Sequence, residues 1–180
     1  MEEQQKLNPN AQQVIVPVTR EKIDGIIGAT VRKWADELTT KIDNWSALHL
    51  ACKDQNEIFL YLVQELGATL NVRNKNGLTL MHKAAIDNNN FLLTYLRDVG
   101  EFKIDEVDFE NNTPLHYACR FGANFSTFWL LGFGQQPNAQ NKQGDTPLHV
   151  LLKSGRVYDT KNVRELIFKG ADRELKNNDG

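Results

Sequence analysis

The chain has four histidines, and their spacing raises the first chemical question. His49, His82, His116 and His149 lie 33, 34 and 33 residues apart. Each closes a tetrapeptide of one kind: Ser46-Ala47-Leu48-His49, Thr79-Leu80-Met81-His82, Thr113-Pro114-Leu115-His116 and Thr146-Pro147-Leu148-His149. The two cysteines, Cys52 and Cys119, each stand three residues after a histidine. Imidazole and thiolate are zinc ligands, and a Cys–His pair is a common nucleophilic arrangement. Both chemistries need the side chains to converge, and the spacing works against that. Self-similarity at a fixed period of this length indicates stacked structural repeats. Helices in a stack lie ~8–10 Å apart, while two imidazoles on one zinc each approach it to ~2.0–2.1 Å. The histidines are therefore expected to bond the helix start and turn of their own or the adjacent repeat. The cysteines are expected to be small buried side chains. No metal, cofactor or catalytic residue is assigned.

The elements that hold these residues can be read from the rest of the period. A glycine lies 18 residues after each of the first three histidines (Gly67, Gly100, Gly134) and 21 after the fourth (Gly170), which places a three-residue insertion within 154–162. A second glycine or asparagine stands two residues before each Ser/Thr: Asn44, Gly77, Asn111 and Gly144, with Gly180 in the same place after the fourth copy. Both residue types tolerate the left-handed backbone of tight turns and helix ends. Between these marks apolar residues keep helical spacing, as in Leu48, Ala51, Cys52, then Ile58, Phe59, Leu62, Val63. Each repeat is read as two short antiparallel helices and an extended polar turn. Threonine suits the N-cap and proline the first helical turn. The fold class is all-α, a solenoid of stacked helix-turn-helix units with extended turn fingers. Residues 1–18 are polar and read as a disordered tail, 19–41 as an N-terminal helical cap over the first apolar face, and 42–180 as four repeats with the start of a fifth.

Composition excludes several functions. A formal charge of −2 lacks the basic excess of a broad nucleic-acid footprint. The longest nearly apolar run, Phe125 to Phe133, is far short of the ~20 residues of a membrane-spanning helix, so no direct membrane insertion is expected. The N-terminus does not resemble a signal peptide, and two cysteines imply a reducing compartment, hence a cytoplasmic protein; a monomer is expected. No phosphate-binding glycine loop occurs. The acidic stretch 101–110 (Glu101, Asp105, Glu106, Asp108, Glu110) lacks calcium-loop spacing and reads as a solvated turn.

With these residues in view, the chain resembles the ankyrin-repeat family. The Thr-Pro-Leu-His start, the Ala-Ala or Ala-Cys pair after it, Gly170-Ala171-Asp172, and the turn approaches Asn74-Lys75-Asn76-Gly77 and Asn141-Lys142-Gln143-Gly144 carry the resemblance. A weaker resemblance, over Lys169 to Arg173 and Lys176 to Gly180, is to the ankyrin arm of protistan ankyrin-repeat palmitoyltransferases, whose catalytic part is absent from these residues. The family resemblance implies a non-catalytic scaffold that binds another protein through a concave groove formed by turn tips and first helices. The tip position before each Ser/Thr, expected to be exposed, is Trp45, Leu78, Asn112 and Asp145. Residues one, four and five after each histidine are expected to face the groove: Leu50, Lys53, Asp54; Lys83, Ile86, Asp87; Tyr117, Arg120, Phe121; Val150, Lys153, Ser154. The groove residues assigned to a partner are Trp45, Leu50, Lys53, Leu78, Lys83, Ile86, Tyr117, Arg120, Phe121 and Lys153. Aromatics and arginine carry most interface energy, which favours Trp45 and the Tyr117, Arg120, Phe121 group. Against this, Trp45 could pack on the cap helix and Phe121 inside the stack.

Overall fold

A computed structural model describes residues 47–65, 68–99, 102–156 and 160–180. The tail, the cap and Trp45 lie outside the described residues. The described chain forms eight helices in four pairs: α1 (Ala47–Ala51) with α2 (Asn56–Gln64), α3 (Leu80–Ile86) with α4 (Asn90–Asp98), α5 (Pro114–Phe121) with α6 (Asn124–Gly132), and α7 (Pro147–Lys153) with α8 (Thr160–Phe168). First helices stack on first helices, α3 on α5 and α5 on α7, and α6 lies between α4 and α8. No strand occurs among the described residues.

The starts of the first helices follow from the tetrapeptides. Thr79, Thr113 and Thr146 hold extended backbone at the N-cap, and Pro114 and Pro147 occupy the first turn, where a missing N–H costs least. The small pair that follows lets neighbouring first helices approach closely. Ala84, Ala85, Ala118 and Cys119 have no exposed surface. Larger side chains fill the layer between first and second helices: Phe59, Leu80, Leu92, Leu93, Leu96, Leu115, Leu130, Leu151 and Leu166 are all fully buried, each contributing about 1.5–3 kcal/mol relative to exposure. Leu152 departs from this pattern. It holds the register place of Cys52, Ala85 and Cys119, all 0 % exposed, yet is 49 % exposed itself, because no later first helix covers it among the described residues.

The fingers are fixed by side-chain carbonyl and carboxylate oxygens. Asn74 Oδ1 accepts from the backbone N–H of Asn76 and Leu78 (3.0 and 2.9 Å), and Asn141 Oδ1 from those of Gln143 and Asp145 (3.0 and 2.9 Å). Asp108 does the same for Glu110 and Asn112 at 2.8 and 2.7 Å. Adjacent fingers are joined by single backbone bonds, Phe109 to Asn76, Lys142 to Glu110 and Asn178 to Gln143, at 3.0–3.1 Å. Close approach is possible because Gly144 is left-handed (φ 73°). A Cβ there would stand 2.6 Å from Asn178 Oδ1 and 2.9 Å from Asn178 N. Asn111 takes the same conformation at φ 61°, which asparagine tolerates.

Candidate functional site

The histidines act as clamps between repeats. Nε2–H of His49, His82 and His116 donates to the carbonyl of Leu78, Asn112 and Asp145 at 3.1, 2.9 and 3.0 Å. A carbonyl only accepts, so Nε2 carries the proton and Nδ1 is the acceptor. Nδ1 of His82 accepts from the backbone N–H (3.2 Å) and hydroxyl (2.9 Å) of Thr79, and Nδ1 of His116 likewise from Thr113 (3.1 and 2.9 Å). Both ring nitrogens of these residues are thus committed to protein partners, as the repeat spacing implies. Burial holds His49 and His82 down to about 4, against opposing pulls from the carbonyls they bond, and lowers His116 in the same way. All three are neutral at physiological pH. Burial also pushes the Cys52 thiol far above its ordinary value, and its Sγ bonds the Leu48 carbonyl at 3.3 Å, so it is not an activated thiolate. Among the described residues no group of three or more His, Cys, Asp and Glu is placed to hold a metal ion.

The residues expected at the finger tips are not displayed. Leu78, Asn112 and Asp145 are 3, 8 and 6 % exposed, which corrects the expectation of exposed tips. The carbonyl of each takes the clamp from the preceding histidine, and its backbone N–H bonds back into its own finger, so the side chain is drawn between repeats. Val150 is likewise buried, at 4 %. Other expected positions do reach the surface. Lys53, Arg120, Phe121 and Lys153 are exposed, and Leu50, Lys83, Ile86 and Tyr117 are half-buried. Phe121 is 47 % exposed, so it lies outside the stack interior. Lys83 pairs with Asp87, and Lys153 bridges Asp145 (2.8 Å) and Asp179 (3.3 Å). A cavity of about 510 Å³ runs from the fingers to α5, bordered by Lys75, Phe109, Glu110, Tyr117, Arg120 and Gln143 among others.

One polar chain underlies that cavity. Tyr117 donates its hydroxyl to Asp108 Oδ2 at 2.6 Å, and Asn112 Nδ2 donates to the same oxygen at 3.1 Å. Asn141 Nδ2 then donates to Asn112 Oδ1 at 2.8 Å, crossing to the next repeat. One repeat further, Asn177 Nδ2 donates to Asp145 Oδ1 at 2.6 Å. Burial acts to raise the Asp108 carboxyl, but the bonds from Tyr117, Asn112 and two backbone N–H groups outweigh it and hold the group below the usual carboxylate range. Burial, with the adjacent carboxylate, raises the Tyr117 phenol.

A family model described as ankyrin repeats (3 copies) matches residues 57–141. The chain belongs to the ankyrin-repeat family. It is 33 % identical over 138 residues to the human SH3 and multiple ankyrin repeat domains protein 2, covering 75 % of this chain and 7 % of that protein. It is 32 % identical to a Caenorhabditis elegans transient receptor potential cation channel subfamily A member 1 homolog (64 % of this chain, 9 % of the channel). With human Rabankyrin-5 the identity is 28 % (74 % and 12 %). The chain therefore spans only a small fraction of these relatives. What it shares with them is the ankyrin repeat, a generic protein–protein interaction module.

Asp108 is the ankyrin residue that reading the sequence as a solvated acidic turn misplaced. It is 4 % exposed and stands where the neighbouring fingers have Asn74 and Asn141. That register was the available signal: like them, it lies four residues before a tip. Within the rest of the acidic stretch, Asp105 is exposed, Glu106 pairs with Arg73 (3.0 Å) and Glu110 with Lys142 (3.5 Å), while Glu101 lies outside the described residues. Asp108→Asn keeps the acceptor for both backbone N–H groups and is expected to cost about 1 kcal/mol, whereas Asp108→Ala orphans both and the Tyr117 hydroxyl and costs about 3 kcal/mol. Urea unfolding of the two variants measures this difference. Equal losses would show that the backbone bonds are not what Asp108 supplies.

Proposed function

We propose that the chain is a non-catalytic binding module that receives a segment of another protein in the groove between its fingers and first helices. The observation that carries this is the Tyr117–Arg120 pair. The Arg120 guanidinium lies 6.0 Å from the Tyr117 ring centroid, while the Tyr117 hydroxyl is held by Asp108. An aromatic residue and an arginine fixed before the partner arrives lose little entropy on binding, and these residue types dominate interface energy. Arg120 is solvent-exposed, so its removal reports binding rather than folding. Pull-down with wild type, Arg120→Ala, and Tyr117→Ala plus Arg120→Ala tests the reading. Arg120→Ala is expected to weaken capture by about tenfold, corresponding to ~1.4 kcal/mol, and the double variant more. Undiminished recovery by a folded Arg120→Ala protein would remove Arg120 as an anchor, and undiminished recovery by the double variant would remove the groove.

The remaining assigned residues, Leu50, Lys53, Lys83, Ile86, Phe121 and Lys153, form the rim of this surface on the same reading. Trp45 is also proposed for it from its place in the sequence. A monomer in a cytoplasmic setting belongs to the same proposal. The alternative, the recognition arm of a larger palmitoyltransferase, rests on the resemblance of the final residues alone. Reading the coding sequence past Gly180 for membrane helices and a cysteine-rich domain decides it.

A further inference from the structure

Helix α6 has the sequence Asn-Phe-Ser-Thr-Phe-Trp-Leu-Leu-Gly and contains no charged residue. An outer helix of a solenoid ordinarily turns a charged stripe to water, and a helix that is apolar all round is a buried one. The outward positions of α6 are Phe125 and Phe128, 65 and 63 % exposed. This is not an end effect, since α6 lies between α4 and α8. Counting back nine, six and two residues from each repeat's glycine, Phe125, Phe128 and Gly132 share register with Lys161, Arg164 and Phe168 on α8. All three α8 residues are exposed, Phe168 at 81 %. On α4 the first of these positions is Phe91, at 48 %.

The convex side therefore presents a band of phenylalanines flanked by cations. Lys169 extends it, its Nζ lying 5.9 Å from the Phe168 ring centroid. The nearby acids do not cancel it. Asp98 pairs with Arg97 at the end of α4, and Glu165 is the one acid of α8, against Lys161 and Arg164 within it and Lys169 just after it. The chain's formal charge of −2 conceals this local excess of positive charge. The energetic hot spots of protein interfaces favour Tyr, Trp and Arg seated in pockets. Phe125 and Phe128 have no hydrogen-bonding group and border neither the finger cavity nor a second cavity of about 660 Å³ on α8, lined in part by Lys161, Arg164 and Phe168. Protruding rings beside lysine and arginine suit a fluid, anionic layer that needs no matching pocket.

We propose that this convex band is a peripheral membrane-binding surface. Lys161, Arg164 and Lys169 meet anionic lipid headgroups, and the rings of Phe125, Phe128 and Phe168 settle at the boundary between headgroups and acyl chains. Nothing crosses the bilayer, and no helix among the described residues is long and apolar enough to do so. The groove lies on the side of the fingers and first helices, so adsorption leaves it open.

Co-sedimentation of the full chain with vesicles of phosphatidylcholine alone, or with about 30 % phosphatidylserine, tests the proposal. Pelleting is expected only with phosphatidylserine, weakening as salt is raised. Phe125→Ser plus Phe128→Ser, and separately Lys161→Glu plus Arg164→Glu, are each expected to lower the partition coefficient by about tenfold or more. No pelleting, equal pelleting with both vesicle types, or undiminished pelleting of folded variants overturns the proposal. So does a dimer that the phenylalanine variant dissociates in the absence of any vesicle binding, which would make the band a self-association surface. If the phenylalanine variant fails to fold, the salt titration and the exposed Lys161/Arg164 variant still decide the outcome.

Discussion

His116→Ala is expected to lower the unfolding free energy by about 3–4 kcal/mol, from the loss of buried hydrogen bonds and the cavity left behind. The ring is 1 % exposed and holds three groups at once: the Asp145 carbonyl, the Thr113 backbone N–H and the Thr113 hydroxyl. Alanine leaves the helix-start N–H buried without its partner and the Asp145 carbonyl with the Asn141 N–H alone. A domain of this size has about 5–15 kcal/mol in total, so one side chain accounts for a large share. His149 provides the control. It bonds Thr146 in its own cap but makes no cross-repeat bond among the described residues, and it is half-buried. His149→Ala is expected to cost about 1 kcal/mol, the value of a cap. Chemical denaturation of both variants gives the comparison, and amide exchange should rise most in α7 and α8 of the His116 variant. Similar losses for the two would mean that the clamp between repeats contributes little.

Acid should begin to destabilise the protein well above the carboxylate range. His49 and His82 are held near 4 by burial, while the unfolded imidazole titrates at its ordinary value of 6.5. As pH falls the unfolded chain takes up protons first, so the contribution is complete above about 6.5 and is lost between there and about 4. At about pH 5.5 the two together remove roughly 3 kcal/mol, and His116 shifts the balance in the same direction. The carboxylates act later: Asp108 and Asp145 are both held below their ordinary value, so their contribution is lost only as pH falls further. The measurement is the urea midpoint between pH 7.5 and 4.5. A midpoint that stays flat down to about pH 5 would contradict neutral, buried histidines in the folded state. The clamp makes this sensitivity a property of the repeats, with no dedicated switch residue.

The helices were legible because their signals are local. Thr-Pro-Leu-His fixes a cap, a first turn and an apolar face within four residues, and its recurrence places each first helix. The structure puts Thr79, Thr113 and Thr146 at N-caps and closes the clamp 29 or 30 residues on. Even the clamp was implied, since a histidine that recurs with the period must serve something that recurs with it. The candidate surface was legible only in part. Tyr117 and Arg120 border the finger cavity and Phe121 is exposed, but Leu78 is buried. Asp108 looked like one charge in an acidic run and proved to be the asparagine-like centre of its finger.

Sequence alone determined the period, the fold class and the helix starts. These follow from residue type and spacing, which act over one turn of helix or one repeat. Tertiary structure decided which polar residues are buried and which apolar residues remain in water. Leu78 is covered because a carbonyl and an N–H at that residue tie it between two repeats, while Phe125 and Phe128 are bare because the neighbouring helices flank α6 without covering its outer face. Exposure is set by the neighbour across the stack, some thirty residues away in sequence, and no local pattern encodes it.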